Sequence, residues 1–223
     1  QPIINDPSSV DDTDYLVMES TYGSRNHERH TDTIDVLASY IERTLERGGN
    51  VIIPSFAVGR TQELLYAIRE IKQQKLVKDA SFPVYIDSPL AIEATKIFEN
   101  CDIVNFDAET RMLIEKGVDP LYFENLHLAV TVDESKLINE TPESKVIISA
   151  SGMCEAGRIR HHLKHNLWRP QNLILFVGYQ AEGSLGRMLI EGVPNVKLFG
   201  EDIAVRAEIR SLKGTSGHAD QAG

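Results

Sequence analysis

Short runs of aliphatic and β-branched residues, each closed by a polar turn and followed by helical spacing, restrict this chain more than any other feature. Tyr15-Leu16-Val17-Met18 leads into Glu19-Ser20-Thr21-Tyr22-Gly23, and from Thr31 to Arg47 apolar residues recur at Ile34, Leu37, Ala38, Ile41 and Leu45 before Gly48-Gly49 stops the pattern. Val51-Ile52-Ile53 leads through Pro54-Ser55-Phe56-Ala57-Val58-Gly59 to a helix predicted from Thr61 to about Lys75. Val84-Tyr85-Ile86 is followed by Asp87-Ser88-Pro89 and a helix carrying Leu90, Ile92, Ala94 and Ile97. Val146-Ile147-Ile148 precedes a helix near Arg158 to Asn166, and Leu173 to Val177 precedes another at Ser184 to Ile190. Strands alternating with helices predict βαβ units, hence an α/β fold with a mostly parallel sheet flanked by helices. The tail from Val196 to Leu212 alternates apolar and polar residues and reads as antiparallel strands, whereas the polar stretch Thr131 to Lys145 reads as a surface loop.

Composition removes other classes. With 223 residues and 42% apolar residues the chain can bury a sizeable core, and its apolar runs fall far short of the roughly 18 residues a membrane-spanning helix requires. No membrane association is expected. Two cysteines, Cys101 and Cys154, are too few for a disulfide framework, and nothing near Gln1 resembles a signal peptide; a cytoplasmic location is the expectation. The net charge of −10 argues against wholesale coating of nucleic acid but leaves room for a local basic groove. The ends, at Gln1-Pro2-Ile3 and Ala222-Gly223, read as those of a piece of a longer protein.

Chemistry concentrates where predicted strands end. Ser55, Ser149, Ser151, Gly152 and Gly178 follow strand carboxyl ends, with Arg60 and Arg187 close behind. Free backbone N–H groups and arginines at such an edge suit a phosphate. Taken singly, each serine or glycine also reads as an ordinary cap or turn residue. Glu19, at the end of an apolar run, suits a general base, a metal ligand or the orienter of a histidine, and equally a solvated strand-end residue. His218 lies in Gly214-Thr215-Ser216-Gly217-His218-Ala219-Asp220, where Ser216 and Gly217 allow a backbone to approach a ligand; it reads as a proton donor there or as a surface histidine. His161 and His165 share a helix face at zinc-pair spacing, but Arg158, Arg160, Lys164 and Arg169 surround them. A basic surface facing nucleic-acid phosphate is the better functional reading of that segment.

Six blocks together carry a family resemblance. Asp14 to Gly23, Pro54 to Glu63, Ile86-Asp87-Ser88-Pro89-Leu90-Ala91, Ser151-Gly152-Met153, Gly178 to Arg187 and Ser216-Gly217-His218-Ala219-Asp220 resemble, in order, the β-CASP branch of the metallo-β-lactamase superfamily. That branch includes the endonuclease of messenger-RNA 3′-end processing and ribonuclease J. The resemblance implies a zinc-dependent hydrolase of RNA phosphodiesters. Glu19 matches the acidic residue of the family's motif A and His218 the histidine of motif B, the acid orienting the imidazole at the scissile phosphate. It also implies that Ser149, Ser151, Gly152 and the Gly178 to Arg187 loop line a cleft that holds RNA.

The departures are as informative. The family's HxHxDH motif and its motif C histidine do not occur in this chain, so the ligands of the two zinc ions are expected elsewhere in the polypeptide, and no metal ligand is assigned among these residues. The resemblance therefore implies residues 25–213 as a β-CASP domain, with residues 1–24 and 214–223 as short remnants of a metallo-β-lactamase αββα domain. Its expected partners are RNA and that lactamase-like domain; a homodimer is left open. The chain alone is expected to be catalytically silent. Two alternatives stand beside this reading: a non-catalytic phosphate- or nucleotide-binding α/β module, and a DNA-directed member of the same branch.

Overall fold

The computed structural model describes residues 2–6, 8, 12–20, 23–24 and 33–212. Its centre is a six-stranded, all-parallel sheet built from β1 (Val51–Pro54), β2 (Val84–Ile86), β3 (Leu126–Leu128), β4 (Val146–Ser149), β5 (Leu173–Phe176) and β8 (Glu208–Ser211), in the order β3-β2-β4-β1-β5-β8. Strands β1, β4 and β5 are buried at every position, as expected when helices cover both faces of a parallel sheet.

Side chains alternate across the sheet and divide the interior into two cores. Val51, Ile53, Val146, Ile148, Leu173 and Leu175 face α1 (Thr33–Glu46), α2 (Arg60–Gln73) and α3 (Pro89–Glu99), through Leu37, Ile41, Leu64, Ile68, Ala91 and Ile92. Ile52, Ile147, Ile174 and Phe176 face the opposite way, onto α5 (Val132–Glu140), α6 (Ile159–Asn166) and α7 (Leu185–Ile190), through Ile138, Ile159, Leu163, Leu185 and Leu189. Each fully buried aliphatic side chain contributes about 1.5–3 kcal/mol, so the two cores fix which helix lies on which face. A further short helix, α4 (Ala108–Glu115), follows a 3-10 turn at Ile103–Asn105, and between the two Phe106 forms an isolated antiparallel bridge with Ile4.

Three expectations need correction. Tyr15-Leu16-Val17-Met18 forms no strand: it has no regular structure, and its side chains are between 67% and 98% exposed. An apolar run becomes a strand only beside a partner, and the described residues supply none. The segment Thr131 to Lys145 is largely helix α5. Its N-terminus is closed by a capping box, in which Thr131 Oγ1 accepts from Glu134 N at 3.2 Å and Glu134 Oε2 accepts from Thr131 N at 2.7 Å. The buried Lys145 ammonium donates to Ile138 O and Thr141 O at the other end.

The tail is only partly antiparallel. β6 (Asn195–Leu198) and β7 (Glu201–Ala204) form a hairpin through Phe199 and Gly200, both at positive φ, as a tight hairpin turn requires. β8 instead joins β5 in parallel, with Ile174 opposite Ile209. Arg206 N and Ala207 N both donate to Leu167 O, and Glu208 N to Asn172 O. These bonds start β8 at the amino end of β5 and send it in the same direction.

Candidate functional site

β1 and β4 are neighbours, yet the helices that follow them, α2 and α6, pack on opposite faces of the sheet. Loops diverging from adjacent strands open a crevice at the carboxyl edge, the usual ligand position in an open α/β sheet. The Phe56 ring lies in that crevice. A Cβ added at Gly152 would stand 3.0 Å from two of its carbons, so only glycine lets the loop after β4 approach the ring this closely. Gln180, 4% exposed, holds the loops after β4 and β5 together: its Nε2 lies 3.0 Å from Gly152 O, 3.1 Å from Tyr179 O and 3.2 Å from Gly178 O. Phe56 and Tyr179 remain 45% and 50% exposed, presenting two aromatic rings at the rim.

The residues selected from sequence divide sharply. Ser55 and Ser149 are each 1% exposed and act as bolts between loops: Ser55 N donates to Ser149 O at 3.0 Å, Thr61 Oγ1 to Ser55 Oγ at 3.1 Å, and Ser149 Oγ to Asp87 O at 2.7 Å. Ser151 closes its own loop, donating to Ala156 O at 3.2 Å. Gly152 and Gly178 do line the crevice beside Phe56. Arg60 is ion-paired with Glu63, and Arg187 with Glu191 at 2.6 Å, so both guanidiniums are engaged within their own helices. Glu19 is exposed in a segment without regular structure. Ser216, Gly217 and His218 lie outside the described residues.

Sequence reading passed over the most densely bonded group at this edge. Asp87, wholly buried directly after β2, accepts from Arg158 NH1 at 2.7 Å and from the Ser135 hydroxyl, and its Oδ2 lies 2.7 Å from His162 Nε2. Burial alone would push its carboxyl up; the hydrogen bonds from His162, Ser135 and Arg158 outweigh that and hold it below the ordinary carboxylate range. Arg158 also donates to Ala129 O and Val130 O, tying the loop after β3 to the start of α6.

A chain of amides fixes the orientation of His162 from behind. Asn172 Oδ1 accepts from Asn50 N, so its Nδ2 donates to Asn166 Oδ1; Asn166 Nδ2 then donates to His162 O and Asn139 Oδ1, and His162 Nδ1 faces that Asn139 oxygen at 3.0 Å. Helical periodicity was a usable signal for His162, since it shares the inner face of α6 with Ile159, Leu163, Asn166 and Leu167. His161 and His165 fall on the outer face, where His161 stacks on Phe199.

Among the described residues no group of three or more His, Cys, Asp or Glu side chains is placed to hold a metal ion. Among the described residues no helix is long and apolar enough to cross a membrane. What the crevice offers is a glycine-lined notch, exposed aromatic rings and buried polar braces. That arrangement can position a flat or extended ligand.

Comparison with known proteins agrees with the sequence blocks. A family model described as the Beta-Casp domain matches residues 61–189. The chain is similar to the ribonuclease TTHA0252 of Thermus thermophilus, 36% identical over 219 residues, covering 98% of this chain and 50% of the relative. It is also similar to an RNase J-like protein of Methanocaldococcus jannaschii, 35% identical over 96% of this chain and 48% of the relative. A third relative, the transcription termination factor FttA of Pyrococcus abyssi, is 35% identical over 92% of this chain and 32% of the relative. The chain thus spans at most about half the length of these relatives.

Proposed function

Since this chain belongs to the β-CASP branch of the metallo-β-lactamase superfamily, we propose that its carboxyl edge forms one wall of the substrate cleft in a metal-dependent ribonuclease. One observation carries the reading: the crevice between the diverging loops of β1 and β4 is lined by Gly152, Gly178 and the half-exposed rings of Phe56 and Tyr179. Single-stranded RNA is held by phosphate contacts and by stacking of unpaired bases on aromatic side chains, and this surface suits the stacking. Glycines without side chains let a sugar-phosphate backbone pass close to the loops.

The hydrolytic centre belongs, in this reading, to a lactamase-like domain of the same polypeptide, with residues 1–24 and 214–223 contributing to it and 25–213 forming the β-CASP domain. The bare apolar segment Tyr15–Met18 supports a strand that finds its partner in that other domain. Glu19 and His218 would stand at motifs A and B, Glu19 orienting the imidazole and His218 donating a hydrogen bond or proton at the scissile phosphate. Zinc is the metal we propose. The described residues do not form a metal site by themselves. We also propose a cytoplasmic setting, a reading supported by the small number of cysteines.

The test is chelator-sensitive cleavage of single-stranded RNA by the longer protein that contains this chain. Glu19→Ala and His218→Ala are each expected to lower turnover by at least about 100-fold, within the range of a lost general acid or base, with the unfolding midpoint unchanged. Cleavage that survives chelation, or single-stranded DNA cut as fast as RNA, sinks the reading.

A further inference from the structure

From Ala156 to Ala181 the sequence contains no Asp or Glu, although the chain carries 33 of them. The structure gives this gap a place. α6 buries Ile159, His162, Leu163, Asn166 and Leu167 and turns Arg160, His161, Lys164, His165 and, one turn on, Trp168 outward. α6 follows β4 and so runs from the carboxyl edge of the sheet back toward its amino edge, about 14 Å between Arg160 and Arg169 at 1.5 Å per residue.

Most arginines and many lysines among the described residues are neutralised by a carboxylate, as Arg43 and Arg47 are by Glu208 or Arg187 by Glu191. Arg160 and Arg169 have no carboxylate within ion-pair distance among those residues. Their guanidiniums lie instead against rings, Arg160 at 5.1 Å from the Phe199 centroid and Arg169 at 4.9 Å from Trp168. The Nε of each is buried without a hydrogen-bond partner. Lys164 meets only the exposed Glu201, a pair of the kind that contributes little. Trp168 is 48% exposed and Phe199 47%. Burial, reinforced by the neighbouring cations, holds His161 and His165 below the ordinary histidine range, so near neutral pH they present uncharged rings.

We infer that the outer face of α6 is a track for single-stranded RNA, carrying the strand from the crevice at the carboxyl edge toward Trp168. Alternating cations and exposed rings are what an unpaired strand requires: guanidinium and ammonium groups for phosphates, aromatic faces for bases, with Trp168 as the far stacking platform. At roughly 3.4 Å per stacked nucleotide the face accommodates about four. The inference rests on RNA being the substrate. It extends that reading because it concerns a surface on one face of the sheet rather than the crevice itself.

Trp168 is the only tryptophan in the chain, so its fluorescence reports on this face alone. The 223-residue chain is titrated with a 20-nucleotide oligouridylate and, separately, with poly-glutamate of similar length. The expected result is quenching of Trp168 by the RNA and much less by poly-glutamate. For the triple variant Arg160→Gln, Lys164→Gln, Arg169→Gln, affinity should drop at least about tenfold, and the slope of log K against log salt should flatten by about two, three phosphate contacts at roughly 0.7 each. Trp168→Phe, its binding followed by fluorescence anisotropy of a labelled oligouridylate, should bind more weakly with the salt slope intact. RNA that fails to quench Trp168, an unchanged triple variant, or equal quenching by poly-glutamate would overturn the inference. In the longer protein the same triple variant should raise KM for a 20-nucleotide RNA with kcat little changed. Absence of any cleavage by the unaltered protein would count against the nuclease reading and not against this track.

Discussion

Asp87 is the residue on which the carboxyl edge depends most. It meets Arg158, Ser135 and His162, so Asp87→Ala would leave a buried imidazole nitrogen and a largely buried guanidinium without their carboxylate. Breaking a buried charged pair in this way costs about 3–5 kcal/mol. Urea denaturation at neutral pH should show a loss of that order; a loss under about 1 kcal/mol would mean the carboxylate braces nothing. The pH dependence has a definite sign. The folded value lies below the ordinary 3.8, so between the two the unfolded chain binds more protons and stability rises with pH. The contribution is complete above about pH 4, is lost on further acidification, and should be absent from the acid limb of Asp87→Asn.

Lys72 behaves in the opposite sense. Its ammonium donates to Ala80 O and Phe82 O, each at 2.7 Å, and sits 4.0 Å from the Phe82 ring, while burial pulls it down to about 8 from 10.5. Between those values unfolded Lys72 binds more protons than folded Lys72, so its contribution to stability should climb as pH rises from about 8 toward 10.5. Lys72→Met should abolish that climb in thermal melts taken across this range. A stability difference between wild type and Lys72→Met that falls or stays level over the same interval contradicts the assignment.

At the scale of elements, the capping box is the clearest device. Thr131→Ala removes one acceptor at the start of α5 and should cost about 1 kcal/mol, or roughly 2–4 °C in Tm for a domain of this size. A Tm unchanged within error would show that Glu134 alone closes the helix. The same helix shows how far sequence reading reached. Helices α1 and α2 were legible because a single apolar face recurs over four turns. α5 was hidden because polar residues dominate its sequence, although Thr131-Val132-Asp133-Glu134 spells the capping box.

β3, three residues at the sheet edge, is too short for a period to show, and it was not anticipated. β8 was read as antiparallel because alternation reveals that a strand exists but not its direction; the direction is set by backbone bonds to Leu167 and Asn172, more than thirty residues away in sequence. Residues of the site followed the same division. Gly152 and Gly178 were visible as strand-end glycines. The Asp87 network joins β2, α5 and α6 and exists only once the sheet has formed.

For the whole molecule, the two-core arrangement accounts for the crevice, since opposed helices on adjacent strands leave their loops diverging. Net charge reads differently at this scale. A value of −10 over the whole chain coexists with a stretch from Ala156 to Ala181, α6 included, that carries no Asp or Glu, so composition alone says little about nucleic-acid contact. The central claim is that the crevice around Phe56 holds single-stranded RNA for cleavage by the longer protein. The most direct measurement is kcat/KM of that protein on single-stranded RNA for Phe56→Ala, together with its unfolding midpoint. Loss of one base-stacking contact, about 1–3 kcal/mol, predicts a fall of roughly tenfold or more with the midpoint nearly unchanged. An unaltered kcat/KM with folding intact would contradict the account.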